Sequence, residues 1–342
     1  MMKEILLQLT NSISLTEEEM IEAVQYLFSP DITDSEIAAF LVSLKAKGET
    51  VNEIATFVKA LRAHALTFDT SIPHLMDNCG TGGDGSKSFN ISTTSAFVIA
   101  ASGIPVAKHG NRSVSSKTGS ADVLEHLGIR LDLSPRQIEG ILEKIGIAFL
   151  FAPNVHPQIK RIMKVRQDLR IPTTFNLLGP LINPMNLENQ LLGIYKRDAV
   201  EMFAEVLQKL GRKRAVVING AGYMDEASLQ GENYLAILKD GNIQTTMLHP
   251  EEVGLHVYAN EKIRGGYAKE NAAILLRVLE GEKGAYRETV ALNAGIGIFV
   301  GGRTESIKEG VQLALEIIDS GAAMEKLEQL KTLSVQSTEK VI

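Results

Sequence analysis

Asp77-Asn-Cys-Gly-Thr-Gly-Gly-Asp-Gly-Ser-Lys-Ser-Phe-Asn-Ile-Ser-Thr-Thr94 is the stretch from which a fold can be read. Gly80, Gly82, Gly83 and Gly85 come directly after the short apolar stretch Ile72–Cys79, and an Asn/Ser/Thr cluster then opens the helix-like apolar run Ser95–Ala101. Strand, glycine turn and helix in that order form the repeating unit of an α/β domain. Glycine permits positive φ and lets an anion approach main-chain N–H groups closely. The helix start beyond supplies unpaired donors and the positive end of a dipole. The stretch predicts a cradle for phosphate or diphosphate. Two familiar loops fit it less well. Gly80-x-Gly82-x-x-Gly85 has dinucleotide-binding spacing, but the acid expected about 20 positions on is replaced by the cationic Gly103-Ile-Pro-Val-Ala-Lys-His109. A P-loop needs Gly-Lys-Ser/Thr, whereas Gly85-Ser86-Lys87-Ser88 is one residue out of register. For this loop taken alone, a turn without a ligand stays open.

Outward from this loop, the composition changes near residue 68. Of 29 glycines only Gly48 lies before that point. The segment 1–68 carries Thr16-x-x-Glu19, Thr33-x-x-Glu36 and Thr50-x-x-Glu53, each pairing an N-cap hydroxyl with a carboxylate able to reach back. Ile37, Phe40, Leu41 and Leu44 recur at helical spacing, as do Ile54, Phe57, Val58 and Leu61, and Gly48 suits a helix C-cap. Residues 69–342 instead alternate β-rich runs (Ile104–Ala107, Ala148–Phe151, Ala215–Ile218, Ile243–Leu248) with amphipathic stretches (Ala121–Leu127, Pro135–Ile145, Asp198–Leu210, Lys269–Leu279, Ser306–Ser320). The expected fold is α/β: a small N-terminal α-helical domain, 1–68, joined by a hinge to a larger domain, 69–342, with a central sheet flanked by helices. A helical segment near 155–180 is expected to return to the first unit. Ile182–Asn189, with Pro184 and three asparagines, reads as a loop or hinge.

At 342 residues, 44% hydrophobic and 22% charged, the chain has the composition of a globular protein of one large or two ordinary domains. A formal net charge of −6 argues against broad binding of nucleic acid or anionic membrane, so an anionic ligand needs a local site. No apolar run approaches the ~18 residues of a membrane span. Met1-Met-Lys-Glu-Ile-Leu-Leu-Gln is too quickly polar for a secretory signal, so the cytoplasm is the expected compartment. The single cysteine, Cys79, excludes an intrachain disulfide and a multi-thiolate metal site, and reads as a small buried strand residue. The histidines outside the second motif show no metal-binding spacing.

Three further stretches carry chemistry. Lys108-His-Gly-Asn-Arg-Ser-Val-Ser-Ser-Lys-Thr-Gly-Ser-Ala-Asp122 collects cations, hydroxyls and two glycines before a helix. That mixture suits a phosphorylated polyol, although a solvated loop has the same composition. Its place one strand–helix unit after the glycine loop favours a ligand, since α/β sheets bind at strand C-termini. Gly222-Tyr-Met-Asp225-Glu226-Ala-Ser228 puts adjacent carboxylates beyond a strand, an arrangement that can hold Mg²⁺ with phosphate and water. Alone, such a pair is more often a solvated turn. Lys160-Arg-Ile-Met-Lys-Val-Arg166 is a basic helix in which Arg166 differs in phase from Lys160 and Lys164, so that it can meet a carboxylate bidentately.

Gly80-Thr-Gly-Gly-Asp84, Asn90-Ile-Ser-Thr93, Lys108-His-Gly-Asn-Arg112 through Gly119-Ser-Ala-Asp-Val-Leu-Glu125, Phe175-Asn-Leu-Leu-Gly-Pro180 and Asp225-Glu226 together closely resemble the anthranilate phosphoribosyltransferase family, in order and spacing, over essentially the whole chain. One departure is Pro172, where members usually carry an arginine. The resemblance implies transfer of the 5-phosphoribosyl group from phosphoribosyl diphosphate to the amine of anthranilate, with Mg²⁺, in a homodimer formed through the helical domain and with no nucleic-acid or membrane partner. It implies that Gly80, Gly83, Asp84, Ser88, Asn90, Ile91, Ser92 and Thr93 hold the diphosphate end. Lys108, His109, Gly110, Asn111, Arg112, Ser113, Val114, Ser115, Ser116 and Ser120 embrace the ribose and its 5-phosphate. Ser92, Asp225 and Glu226 serve the metal. Gly80, His109, Asn111, Arg166 and Pro180 face anthranilate. No covalent nucleophile or obligatory general base is expected. A pyrimidine nucleoside phosphorylase shares the architecture but is expected to show a different glycine-loop and lysine/serine pattern. A non-catalytic nucleic-acid-binding relative is disfavoured by the acidic charge and the intact Asp225-Glu226 pair.

Overall fold

The computed structural model describes residues 2–112 and 117–339. Ser113, Val114, Ser115 and Ser116 lie outside the described residues.

Helices α1 (Met2–Thr10), α2 (Glu17–Leu27), α3 (Asp34–Lys47) and α4 (Val51–Ala63) come first. All three capping boxes close: the Thr16, Thr33 and Thr50 hydroxyls accept from the N–H groups of Glu19, Glu36 and Glu53, whose carboxylates accept from the threonine N–H groups. Each satisfies two donors that a helix start otherwise leaves unpaired, and each cap residue is worth about 0.5–2 kcal/mol. Glu53, almost fully buried, also accepts from the Leu15 N–H at 3.0 Å and pairs with Lys47 at 2.8 Å. Gly48 ends α3 at φ 88°, where any side chain would be strained.

The rest is a seven-stranded sheet: β1 (Met76–Gly80), β2 (Val106–Gly110), β3 (Ile147–Phe151), β4 (Asn189–Gly193), β5 (Arg214–Asn219), β6 (Asn233–Lys239) and β7 (Asn242–Leu248), in the order β3-β2-β1-β4-β5-β6-β7. The first five are parallel, and β6 and β7 add an antiparallel edge. Chain order reverses between β1 and β4, the switch point at which open α/β sheets bind ligands. Register pairs Met76 with Asn189 and Gly80 with Gly193, so both strands stop level on a glycine. The remaining helices are α5 (Ile91–Ala101), α6 (Ser120–His126), α7 (Pro135–Ile145), α8 (Ala152–Val155), α9 (Lys160–Leu169), α10 (Phe175–Leu178), α11 (Val200–Lys209), α12 (Ala268–Leu279), α13 (Ala285–Val300), α14 (Ile307–Asp319) and α15 (Ala322–Glu339).

Strand alternation divides the apolar residues between two cores. Val216, Ile218 and Leu235 face the core built on α5, α12, α13 and α14. Ala215, Val217, Ala236 and Leu238 face one that is continuous through α11 with α1–α4 and with Ile159–Ile182. The Phe57 and Phe175 rings pack edge to face with centroids 5.4 Å apart, joining α10 to α4. The N-terminal helices thus share a core with one face of the sheet.

Four elements differ from the sequence reading or lie outside it. β4 and β6 were not among the expected strands, nor α13 and α15 among the expected helices. α13 is buried on every side, so no amphipathic period marks it. Its glycines allow contact no other residue permits: a Cβ at Gly295 would lie 2.6 Å from the Val311 nitrogen, and one at Gly310 would lie 2.2 Å from the Gly295 oxygen. The helix after the glycine loop starts at Ile91, not Ser95, absorbing the Ser/Thr cluster as its first turn, and the strand before it starts at Met76, not Ile72. Residues 182–188 form a loop with a fixed interior. Asn183 is fully buried and donates to Asp77 Oδ2 at 2.9 Å and to the Ala107 carbonyl at 2.8 Å. Among the described residues no helix is long and apolar enough to cross a membrane.

Candidate active site

The loop after β5 folds back over the ends of β1 and β4, and three glycines make room for it. A Cβ at Gly193 would lie 1.7 Å from the Asp225 carbonyl oxygen, one at Gly80 would lie 2.2 Å from Asp225 Oδ2, and one at Gly220 would lie 2.1 Å from the Glu226 carbonyl oxygen. The Gly82 N–H donates to Asp225 Oδ2 at 2.6 Å, and the Ser92 N–H donates to Glu226 Oε1 at 3.2 Å. Buried Asn293 of α13 grips the next peptide from both sides, accepting from the Ala227 N–H at 2.8 Å and donating to the Ala227 carbonyl at 2.9 Å. The carboxylate pair is thereby locked against the glycine loop and the start of α5.

Electrostatics make this an unsatisfied site. Burial, then the Asp84 and Glu226 charges, push the Asp225 carboxyl well above its usual range. Burial likewise raises Glu226, while Lys108 and Ser92 oppose it. Asp84 accepts from the Ser86 N–H at 3.1 Å through Oδ1, and among the described residues its buried Oδ2 has no hydrogen-bond partner. A divalent cation is the complement such a cluster lacks. Among the described residues no three metal-ligating side chains already converge, so a cation here needs further oxygens of the kind a phosphorylated ligand carries.

The glycine loop runs through left-handed positions at Gly82, Gly83 and Gly85, and again at Lys87. It is backed by residues 263–266: the Gly265 N–H donates to the Lys87 carbonyl, the Phe89 N–H to the Ile263 carbonyl, and Ser88 bridges Arg264. Asn90 is the N-cap residue of α5 and accepts from Asn271 Nδ2 at 2.7 Å. Ile91 buries its side chain and turns its N–H to the Phe89 carbonyl, while Thr93 is buried one turn inside. Tyr195, just past β4, is the nearest group to a Cβ built at Gly83, at 3.9 Å.

The second motif divides in two. Lys108 points under the sheet, its ammonium donating to the Asn78 carbonyl at 2.5 Å. The His109 N–H donates to buried Asp77, and its Nδ1 lies 3.2 Å from the Gly179 carbonyl. Burial, reinforced by His156 at a ring separation of 5.3 Å, lowers the His109 imidazole to about 3. His109 is therefore neutral at neutral pH, and among the described residues its Nε2 has no partner. Gly110 ends β2 where a Cβ would lie 2.3 Å from Ser120 Oγ, and that hydroxyl donates to the Asn111 carbonyl at 3.3 Å. Arg112 is held by Asp122 at 3.1 Å and by Glu125 at 2.5 Å, and lies over the Phe151 ring.

On the facing side, α9 presents two unlike surfaces. Arg161 and Lys164 pair with Asp34 at 3.0 and 3.1 Å on the exterior. Arg166 turns inward onto the Phe175 ring, and burial lowers its guanidinium to about 10. It reaches Met163 Sδ and, at 3.4 Å, Asn176 Oδ1, and among the described residues its buried Nε is unpaired. Asn176, Gly179 and Pro180 belong to one short segment, so Arg166, His109 and Pro180 are brought around a single stretch of backbone. Pro172 is exposed. The sequence reading missed Gly193, Gly220, Asn271 and Asn293. Gly220 was visible as a glycine just past a recognised strand, whereas the others lie in or beside elements whose pattern gave no signal.

Comparison with known proteins matches residues 3–65 to the helical bundle domain of a glycosyl transferase family and residues 72–324 to its α/β domain. The anthranilate phosphoribosyltransferase of Bacillus cereus strain B4264 is 58% identical, covering 99% of this chain and 100% of its own length. The Exiguobacterium sibiricum enzyme of the same name is 59% identical over 98% of this chain and 99% of its own. Among solved structures, the anthranilate phosphoribosyltransferase of Thermus thermophilus superposes with a TM-score of 0.92 at 40% identity, covering 96% of this chain and 99% of that one. The Saccharomyces cerevisiae enzyme in complex with PRPP and Mg gives 0.85 at 26% identity, covering 94% and 92%.

Proposed function

Since the chain belongs to the anthranilate phosphoribosyltransferase family, we infer that it transfers the 5-phosphoribosyl group of phosphoribosyl diphosphate to the amine of anthranilate, giving N-(5-phosphoribosyl)anthranilate and diphosphate in tryptophan biosynthesis. The observation that carries the assignment of the site is the seat of Asp225 and Glu226 on Gly80, Gly193 and Gly220, at the sheet's switch point and against the glycine loop. A buried, mutually repelling carboxylate cluster makes sense where a cation and a polyanion arrive together.

Bond breaking leaves positive charge on the ribose C1 and negative charge on the departing diphosphate. The barrier falls when donors already stand where that negative charge develops. The glycine loop at Gly83 and Asp84, with Ser88, Asn90, Ser92 and Thr93, is assigned to the diphosphate. Asp225, Glu226 and Ser92 would hold Mg²⁺, which supplies charge neutralisation of the leaving group. Asn111, Ser120 and the sequence 108–116 are assigned to the ribose and its 5-phosphate. Arg112 reaches a phosphate only by giving up part of its pairing with Asp122 and Glu125, so ligand entry and that ion pair compete. Arg166 takes the anthranilate carboxylate, with neutral His109 and buried Pro180 lining the ring's pocket. An aromatic amine is neutral near pH 7 and already nucleophilic, so catalysis is chiefly positioning of two substrates in line.

Exposed Leu7 on α1, Ile21 on α2 and Ile13 between them support a homodimer through the helical domain. A highly charged donor that does not cross membranes unaided supports a cytoplasmic location. The site assignment is tested with Asp225→Asn combined with Glu226→Gln, which keeps shape and removes charge. Turnover is expected to collapse with the melting temperature preserved, and near-normal activity across Mg²⁺ concentrations would mean that the pair holds no metal needed for the reaction.

A further inference from the structure

Asn271 stands on α12, in an element none of the recognised motifs includes, and is 3% exposed. Its amide is oriented by its partners. The Gly266 N–H, a backbone donor that cannot exchange roles, meets one amide atom of Asn271 at 2.7 Å, so that atom is Oδ1. The opposite end, Nδ2, then donates to Asn90 at 2.7 Å, so Asn90 presents its Oδ1 there. With its Oδ1 taken up by Asn271, Asn90 has its –NH₂ left facing away from that residue. Nor is the Asn90 side chain spent on capping α5. Space for the relay is made by Gly265, where a Cβ would lie 2.5 Å from Asn271 Oδ1 and 2.7 Å from the Phe89 Cα.

We propose that Asn271 is a positioning residue for phosphoribosyl diphosphate, fixing the polarity of Asn90 so that its amide nitrogen, not its oxygen, faces the diphosphate oxyanions. The proposal rests on the reading of Asn90 as a diphosphate ligand. The chemistry is a matter of sign. An asparagine amide flips by rotation about its last bond, and the two ends have nearly the same shape. Only the nitrogen end donates to an oxyanion, while the oxygen end repels it. Asn271 breaks that degeneracy through a chain of polarity that starts on a main-chain N–H.

Steady-state kinetics of Asn271→Ala and Asn271→Asp, with each substrate varied, test this. Aspartate keeps the shape and still accepts from the Gly266 N–H, but it has no proton to donate and accepts from the Asn90 –NH₂, turning the Asn90 oxygen toward the ligand. Alanine leaves Asn90 free to choose. The KM for phosphoribosyl diphosphate is therefore expected to rise in the order wild type, N271A, N271D, reaching about tenfold or more for N271D, as expected for a lost charge-assisted bond. The KM for anthranilate should stay within about twofold. A merely structural role gives the opposite order, because alanine leaves a void and an unpaired N–H where aspartate fits. That reversed order, or an unchanged KM in N271D, overturns the proposal. In an Asn90→Ala background N271D should add no more than about twofold, and a further full loss would mean that Asn271 acts by another route. If the wild type transfers nothing, the functional reading falls by itself. Calorimetric binding of inorganic diphosphate with Mg²⁺ to the same variants then reads the same order, or overturns it.

Discussion

Gly193→Ala is the sharpest perturbation of the site that touches no proposed substrate ligand. Its Cβ would lie 1.7 Å from the Asp225 carbonyl oxygen, 2.5 Å from the Asp225 carbonyl carbon and 3.3 Å from the Glu226 nitrogen. All three are backbone atoms, so no rotamer change relieves the clash. A tolerable carbon–oxygen contact needs about 3.2 Å, so the carboxylate loop must retreat by roughly 1.5 Å. That motion strains the Gly82 to Asp225 bond at 2.6 Å and the Ser92 to Glu226 bond at 3.2 Å. Overpacking of this kind costs about 1–3 kcal/mol. With an unfolding entropy of about 2.1 cal/mol/K per residue, a chain of 342 residues melts only about 1–4 °C lower. Activity should suffer far more, since displacing a reactive constellation by about 1 Å costs about 100-fold. The assay is turnover of anthranilate beside a thermal melt, with Gly140→Ala on α7 as control. Nothing lies within 4 Å of a Cβ at Gly140, so that variant should keep full activity. Near-normal turnover in Gly193→Ala would refute the argument that this glycine seats the carboxylates.

Arg166→Ala should weaken anthranilate by about 1.5–3 kcal/mol, or roughly 10- to 150-fold in affinity, with little change for phosphoribosyl diphosphate. Arg161→Ala and Lys164→Ala, whose partner is Asp34, should leave both substrates alone; calorimetry showing either of them to matter more would reverse the assignment of the faces of α9. Burial lowers His156 to about 4 and His109 to about 3, so both take up protons more readily when unfolded. Their contribution to stability is complete above the unfolded value near 6.5 and is lost as pH falls from there toward about 3–4, at about 2 kcal/mol for each by pH 5. Denaturant titrations at pH 7.5 and pH 5 should show His156→Gln losing about 2 kcal/mol less than the wild type, and equal losses would mean that His156 is not buried neutral.

Helices α2, α3 and α4 were legible because capping boxes are local: Thr16, Thr33 and Thr50 each meet their glutamate three residues on, whatever the tertiary context. The strand–loop–helix unit at Asp77–Thr94 was legible for the same reason, since its glycines sit where positive φ is needed. What escaped is long-range. α13 carries apolar residues on all sides and glycines that read as breakers, yet Gly295 is where α14 packs and Gly297 is where Ile99 of α5 packs. β4 begins with Asn189 and Gln190, polar residues fully buried by partners far away in sequence, so no apolar run announces it. Gly193 looks like any glycine until the loop carrying Asp225 is laid over it. The substrate-facing residues stood out as motifs, whereas the residues that aim them did not.

Central to the account is that this fold couples departure of diphosphate to capture of an aromatic amine. Purified protein mixed with anthranilate and phosphoribosyl diphosphate, with anthranilate fluorescence and released diphosphate followed together, tests it most directly. The two should change one for one, and only when Mg²⁺ is present. Diphosphate release without loss of anthranilate, or no change in either beside working controls, would contradict the account.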